Sequence, residues 1–309
     1  MTYPKKTLVT GGAGFIGSHL VLALLNQGTE VTVIDDMSNG LESNLDLFRI
    51  QSNIVRASIL DLDALKEAAD DCDTIFHLAA VSNVAQTLNH PLEAHAVNAT
   101  GTMNVLEAAR THNCHVVFSS SAATYGDTPL VPTPASSPQA PISMYGSQKL
   151  LGEYYIRNYC HLFDLSAACL RYFNVYGPRQ RPDSPYSGVI SIFTDRAQRN
   201  APISIHGTGE QTRDFIAVED VIAANIAAAQ LRTGKGEAFN VCTGERTSVK
   251  TLCNLAVDFT NSTSVVTHGP AREGDILHSQ GIPDRAQEVL GFTAKTQFRD
   301  GLKSLIESD

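Results

Sequence analysis

Tyr145 and Lys149 stand four residues apart in the run Tyr145-Gly-Ser-Gln-Lys149. On a helix that spacing projects both side chains from one face, one turn from each other. A tyrosine loses its proton at about pH 10. A neighbouring ammonium favours the phenolate and moves that value toward the working range, which makes the pair a usable general base. A second run carries different chemistry. Leu8-Val-Thr-Gly11-Gly-Ala-Gly14-Phe-Ile-Gly17 sets Gly-x-x-Gly-x-x-Gly between a short strand pattern and a helical one. Glycines there permit a tight turn and close backbone approach to a pyrophosphate, while the helix N-terminus faces the phosphates.

Alone, such a turn specifies only a phosphate. Its context adds a nucleoside, because the run Val31-Thr-Val-Ile34 ends in Asp35, about 20 residues on, where a carboxylate accepts hydrogen bonds from the adenosine ribose hydroxyls. A carboxylate there repels the 2′-phosphate of NADP, and no arginine stands beside it in Asp35-Asp-Met-Ser-Asn39. NAD is the expected cofactor. Asp36 reads equally well as part of a solvated acidic loop.

Elements must hold these residues, and short strand-like runs alternate with helical patterns: 7–10 then 18–27; 30–34 then a loop; 53–57 then 63–69; 74–78 then 91–110; and 115–119. That alternation predicts β-α-β units winding a parallel sheet, a Rossmann-type doubly wound α/β fold. Five prolines between Pro129 and Pro141 exclude a central strand or helix interior and predict a surface loop leading to a helix near Ser143. Beyond about Phe173 the pattern loosens into loops rich in Gly, Pro and Arg. A helix over 218–231, a strand over 238–241 and two more helical segments follow. The expected division is an NAD-binding domain of 1–173 plus about 214–242, and a smaller mixed α/β substrate domain of about 174–213 and 243–309.

With 309 residues, 43% of them hydrophobic, the chain can bury one large core or two unequal ones. The net charge of −9 and the lack of a long basic run argue against nucleic acid, so an anionic ligand must find local arginines. The apolar run Leu8-Val9 starts too close to Met1 to leave room for a signal peptide. No apolar stretch approaches the roughly 18 to 20 residues needed to span a bilayer. A cytoplasmic protein without a membrane partner is expected. The six cysteines show neither C-x-x-C pairs nor metal-ligand spacing, so they read as reduced, buried small hydrophobes, and no metal is expected.

The chain resembles the extended short-chain dehydrogenase/reductases, and within them the nucleotide-sugar epimerases. The resemblance spans essentially the whole sequence. Besides the glycine turn and Tyr145-x-x-x-Lys149 it rests on His77-Leu-Ala-Ala80, Asn98, Ser119-Ser-Ser-Ala-Ala-Thr-Tyr-Gly126 and Arg171-Tyr-Phe-Asn-Val-Tyr-Gly-Pro178. Gly207-x-Gly-x-x-x-Arg-Asp-Phe215 and Arg272-Glu-Gly-Asp275 complete it. The resemblance implies Tyr145 as catalytic base, Lys149 as its tuning partner and the anchor of the nicotinamide ribose, and Ser121 as the hydrogen-bond partner of the reacting sugar hydroxyl. It also implies cofactor contacts from Gly11, Gly14, Phe15, Ile16, Gly17, Asp35 and Asn39. Ser58 and Ile59, the segment Leu78, Ala79 and Ala80, and Asn98, Ser119 and Tyr172 join that set. On the sugar side it implies Asn174, Arg213 and Arg272 at the diphosphate, with Ser82, Val189, Asp275 and Ser279 around the hexose. A homodimer pairing helices 91–110 and 143–160 is a further implication.

The reaction so implied is reversible C4 epimerisation of a UDP-hexose through a transient 4-keto sugar, with hydride borrowed and returned by bound NAD. Ala122-Ala123 stands where 4,6-dehydratases carry an acidic pair, which favours epimerisation over dehydration. Ser279 is small at a position that is bulky in enzymes restricted to glucose and galactose, so UDP-GlcNAc and UDP-GalNAc are the expected pair. UDP-glucose/UDP-galactose epimerisation, UDP-uronate epimerisation and a non-catalytic NAD sensor or scaffold are the alternatives. The sequence departs from the family pattern at Ala57-Ser58-Ile59, where an acidic residue near the adenine is usual. It also departs at Gln148, where serine commonly precedes the lysine, and at Ala123-Thr124 before Tyr125.

Overall fold

The computed structural model describes residues 3–181, 188–232, 234–271 and 276–308. Seven strands form its main sheet: β1 (Lys6–Thr10), β2 (Glu30–Ile34), β3 (Asn53–Val55), β4 (Thr74–His77), β5 (His115–Ser121), β6 (Ala167–Tyr172) and, returning late in the chain, β11 (Lys235–Val241). Every pairing is parallel, in the order β3-β2-β1-β4-β5-β6-β11. This is the doubly wound arrangement the alternation predicts, with its reversal of strand order between β1 and β4. Runs such as Leu8-Val9 and Val116-Val117 are wholly buried, as strands covered on both faces must be.

Helices cover the sheet: α1 (Phe15–Leu25), α2 (Glu42–Asp46), α3 (Leu62–Ala68), α4 (Val84–Asn89), α5 (Pro91–His95), α6 (Thr102–His112), α7 (Met144–Phe163) and α9 (Val218–Ala229). The single helix expected over 91–110 is divided. A π-helical stretch, Ala96–Gly101, separates α5 from α6, and α4 precedes both. Such a stretch keeps apolar helical periodicity on either side, so a pattern of spacings does not reveal it. The loop expected after β2 contains α2.

A second core joins Tyr176, Ile190, Phe193, Ile203, Leu252 and Leu302. It is built from β7 (Asn174–Tyr176), α8 (Val189–Gln198), β8 (Ile203–His206), β9 (Thr212–Arg213), β10 (Phe215–Ala217), β12 (Thr247–Ser248), α10 (Val249–Thr260), β13 (Val266–Gly269) and α12 (Phe298–Ser308). The helix α8 lies where loops were expected. Its buried Ile190, Phe193, Thr194 and Ala197 follow helical spacing, a signal obscured by the Gly/Pro/Arg-rich run before it. Two segments cross the expected domain division. β10 sends Phe215 and Ala217 into the small core and Ile216 into the large one, as alternation requires. Ala286 of α11 (Asp284–Leu290) and Phe292 pack on the large core. With α10, three helices rather than two follow β11 among the described residues.

The proline-rich segment forms no helix, but it is less superficial than expected. Thr133 and Ser137 are buried, and Thr133 exchanges backbone hydrogen bonds with Gln280 and Ile282. It thereby ties the large lobe to the segment carrying Ser279. Among the described residues no helix is long and apolar enough to cross a membrane, and all six cysteines are buried and unpaired.

Candidate functional site

A cleft opens at the carboxyl ends of β1 and β4, where the strand order reverses. Its floor is the glycine turn. Gly11 adopts φ +71°, and a Cβ placed on Gly17 would lie 2.1 Å from the Gly11 carbonyl oxygen, so the turn and the start of α1 meet backbone to backbone. Gly14 caps α1, and Gly14, Phe15, Ile16 and Gly17 line the cleft, leaving the helix N-terminus beside it. Asp35 lines one end. Its Oδ2 accepts from the Ala13 amide at 2.9 Å and its Oδ1 from the Met37 amide at 2.9 Å, which orients the carboxylate. Burial raises its pKa, and those two hydrogen bonds partly offset the rise.

Across the reversal, Thr10 Oγ1 accepts from the Leu78 and Ala79 amides and lies 2.8 Å from His77 Nδ1. His77 Nε2 in turn lies 3.0 Å from Thr102 Oγ1, whose hydroxyl donates to the Asn98 carbonyl. The chain of donors runs in one direction if His77 is neutral and protonated on Nε2. Burial, aided by the charge of Lys149, does lower its pKa to about 3. Leu78, Ala79, Ala80 and Ser82 line the cleft.

The other end is built by α7 against the tip of β5. Ser143 caps the helix through the Gly146 amide, and Gly152 allows close docking, since a Cβ there would meet the Phe118 ring at 2.7 Å. Ser119, Ser121, Tyr145, Lys149 and Tyr172 all line this end. Lys149 Nζ donates to the Ser119 carbonyl at 2.7 Å and lies 4.9 Å from the centre of the Phe118 ring. Tyr172 donates to Asn225 Oδ1 at 2.9 Å.

The electrostatics correct one expectation. Lys149 does not draw the phenol toward neutrality: its Nζ is bound to a carbonyl and stands 5.8 Å from the centre of the Tyr145 ring. Burial raises the Tyr145 phenol to about 12, and only the hydrogen bond from Ser121 works against it. Burial alone lowers Lys149 to about 7. Helical spacing brings the two side chains together, but desolvation, which spacing does not report, dominates both titrations.

Several expected contacts fall elsewhere. Asn98 is buried behind the cleft, where its Oδ1 accepts from the Val81 amide and its Nδ2 donates to the Val81 carbonyl and to Gln148 Oε1. It holds the lining segment and does not itself line the cleft. Ser58 accepts from the Leu60 amide outside the lining, whereas Ile59 and Asn39 are part of it. Val189 packs at the edge of the small core. Asn174 is exposed on β7 between Phe173 and Val175, which do line the cleft. Arg213 lies on β9, half-buried, with one guanidinium nitrogen donating to the Thr212 carbonyl. Ser279 donates its amide to the same carbonyl. Arg272 and Asp275 lie outside the described residues.

Sequence reasoning missed the cleft residues Ser38, Gly40, Val81, Val97, Phe173 and Val175. Most flank a motif residue by one position, so the motif was the available signal. It also missed buried Gln148 and the buried ion pair Arg171–Glu153, the latter one helical turn past Lys149. Among the described residues no group of three or more His, Cys, Asp or Glu side chains is placed to hold a metal ion.

Comparison with known proteins matches residues 7–242 to the NAD dependent epimerase/dehydratase family. The chain is 36% identical to the UDP-glucose 4-epimerase of Mycolicibacterium smegmatis over 98% of this chain and 97% of that one. Its structure is similar to UDP-glucose 4-epimerase from Thermotoga maritima with UDP-glucose, at TM-score 0.93 and 36% identity, covering 98% of this chain and 97% of that one. It is also similar to UDP-N-acetylglucosamine 4-epimerase from Methanobrevibacter ruminantium in complex with UDP-N-acetylmuramic acid. There the TM-score is 0.94 and the identity 34%, covering 99% and 98% of the two chains.

Proposed function

Since the chain belongs to the NAD dependent epimerase/dehydratase family, we propose that it interconverts the C4 epimers of a UDP-hexose, with UDP-GlcNAc and UDP-GalNAc as its preferred pair. The observation that carries the reading is the meeting of Ser121, Tyr145 and Lys149 at one end of a cleft whose other end is a glycine cradle and Asp35. A non-catalytic sensor has no use for that end.

The residues fit NAD. Gly11, Gly14 and Gly17 line the cleft without side chains beside the N-terminus of α1, where a pyrophosphate would sit, Asp35 would hold the adenosine ribose, and Lys149 is the one basic side chain lining the cleft among the described residues. Lys149 would hold the nicotinamide ribose. Bound NAD supplies hydride acceptance and return, together with a positive ring charge. Tyr145 takes the proton of the sugar C4 hydroxyl and later gives it back, and Ser121 hydrogen-bonds the same oxygen. With a phenol raised to about 12 in the protein alone, Tyr145 reaches its phenolate form only as nearby positive charge lowers that value. The apolar walls formed by Phe173 and Val175 exclude water from the keto sugar.

In this reading the large lobe binds NAD and the small lobe holds the UDP-sugar, with Asn174, Arg213 and Arg272 at the diphosphate and Ser82, Val189, Asp275 and Ser279 around the hexose. Ser279 leaves space for a 2-acetamido group, and the likeness to the Methanobrevibacter enzyme supports it. The relative from Mycolicibacterium favours the plain hexose pair as the second reading. Leu88, Leu92, Met103, Tyr154 and Phe163, exposed on α4 to α7, suit the homodimer we propose through these helices; sedimentation of the pure chain as a monomer removes that proposal.

The test is conversion of each UDP-sugar by purified protein without added acceptor, repeated with Ser279→Tyr. UDP-GlcNAc should epimerise with the unaltered protein, and the bulky variant should lose it while keeping UDP-glucose. Epimerisation of UDP-glucose alone by the unaltered protein sinks the N-acetyl reading. NAD binding with no reaction on any nucleotide sugar sinks the epimerase.

A further inference from the structure

Three serines end β5, and two of them meet the Tyr145 and Lys149 pair. Ser119 offers its carbonyl to Lys149, and Ser121 faces the Tyr145 phenol. Ser120 also lines the cleft but is buried, and its hydroxyl donates to Glu153 Oε1 at 2.6 Å. Glu153 lies four residues past Lys149 on the same face of α7. The same carboxylate is gripped by Arg171, which pairs with Ser120 across β5 and β6. Arg171 Nε reaches Oε1 at 2.9 Å and its terminal nitrogen reaches Oε2 at 2.7 Å.

Two adjacent strands therefore hold one buried carboxylate on the helix that carries the base. We propose that Ser120, acting with Glu153 and Arg171, is a positioning residue: it fixes how α7 stands against the tip of β5, and so sets the contact between Ser121 and Tyr145. The inference rests on the epimerase reading above. A buried ion pair is a poor device for stability alone, because a well-packed apolar substitute does as well or better. Its location one turn from Lys149 and one residue from Ser121 gives it a geometric task.

The network has a second branch. Arg171 also donates to the Tyr125 hydroxyl at 2.7 Å, and Tyr125 donates to Asn240 Oδ1 at 2.6 Å. Asn240 Nδ2 then donates to the Thr133 and Ile282 carbonyls, next to the segment that carries Ser279. The two branches reach different parts of the site. Ser120 governs proton transfer, and Tyr125 governs the sugar-binding segment.

Ser120→Ala removes one hydroxyl and leaves the ion pair whole. It should lower kcat roughly ten- to a hundredfold, as a small misplacement of reacting groups does, with the KM for UDP-sugar and the NAD affinity held within about twofold. The acid limb of the kcat profile should move to higher pH, because the contact that favours the phenolate is weakened. Ser120→Thr should restore both. Tyr125→Phe should raise KM and leave kcat. A kcat for Ser120→Ala within about twofold of the unaltered protein overturns the proposal. So does a kcat loss that merely follows a fall in Tm with no change in the pH profile. NMR of ring-labelled tyrosine, assigned by Tyr145→Phe, separates this failure from that of the epimerase reading. Even in a protein that turns over no sugar, the Tyr145 signal should shift in Ser120→Ala and return in Ser120→Thr, and an unmoved signal overturns the positioning role.

Discussion

The two ends of the cleft are held together by opposite means. At the glycine end, backbone does the work: the glycine turn, the N-terminus of α1 and the amides that orient Asp35 all lie within a short stretch of chain. At the end where β5, β6 and α7 meet, side chains do the work, and burial pushes Tyr145 and Lys149 of α7 toward their uncharged forms. The first end is shape fixed by local sequence. The second is chemistry maintained at a cost in stability, as active sites commonly are.

Three changes would break or sharpen this contrast. The largest effect is expected from Tyr145→Phe, which should cut epimerisation by about a thousandfold or more while NAD binding persists. Steady-state conversion and cofactor titration measure the two, and activity near that of the unaltered protein would remove Tyr145 as the base.

Gly17→Ala comes next. The added Cβ meets backbone that cannot move aside, so it should cost about 1 to 3 kcal/mol in urea unfolding and weaken NAD binding with it. Unchanged NAD affinity would mean that the turn is not the pyrophosphate cradle.

The most diagnostic change concerns pH. Folded Lys149 titrates at about 7 against its ordinary 10.5. Between those values the unfolded chain carries a proton that the folded chain lacks, so this group makes stability rise with pH across the window, by about 1.4 kcal/mol per unit. Below pH 7 both states are protonated and the burial penalty is fully present. Lys149→Met should therefore be more stable than the unaltered unliganded protein at pH 7, and the gap should shrink by pH 9. Urea titrations at the two values check this, and a constant gap would show that Lys149 is not desolvated.

Legibility in the sequence follows the same contrast. The glycine turn, Asp35 and the pairing of Tyr145 with Lys149 were readable because each depends on residues close in the chain. The division of the helix before β5, and α8 beyond the glycine-rich loops, were not. Asn98 illustrates the limit: its motif marked it as a site residue, but its amide serves Val81 and Gln148, two partners that only packing brings near.

Sequence by itself determined the strand alternation, the glycine turn and the acidic residue that follows β2, since hydrophobic period and glycine geometry are local properties of the chain. Tertiary structure alone decided that Tyr145 sits near 12 and Lys149 near 7. It alone decided that Ser120, Glu153 and Arg171 share one carboxylate at the base of the site. Burial depends on what the rest of the fold stacks around a group, and no spacing along the chain encodes it.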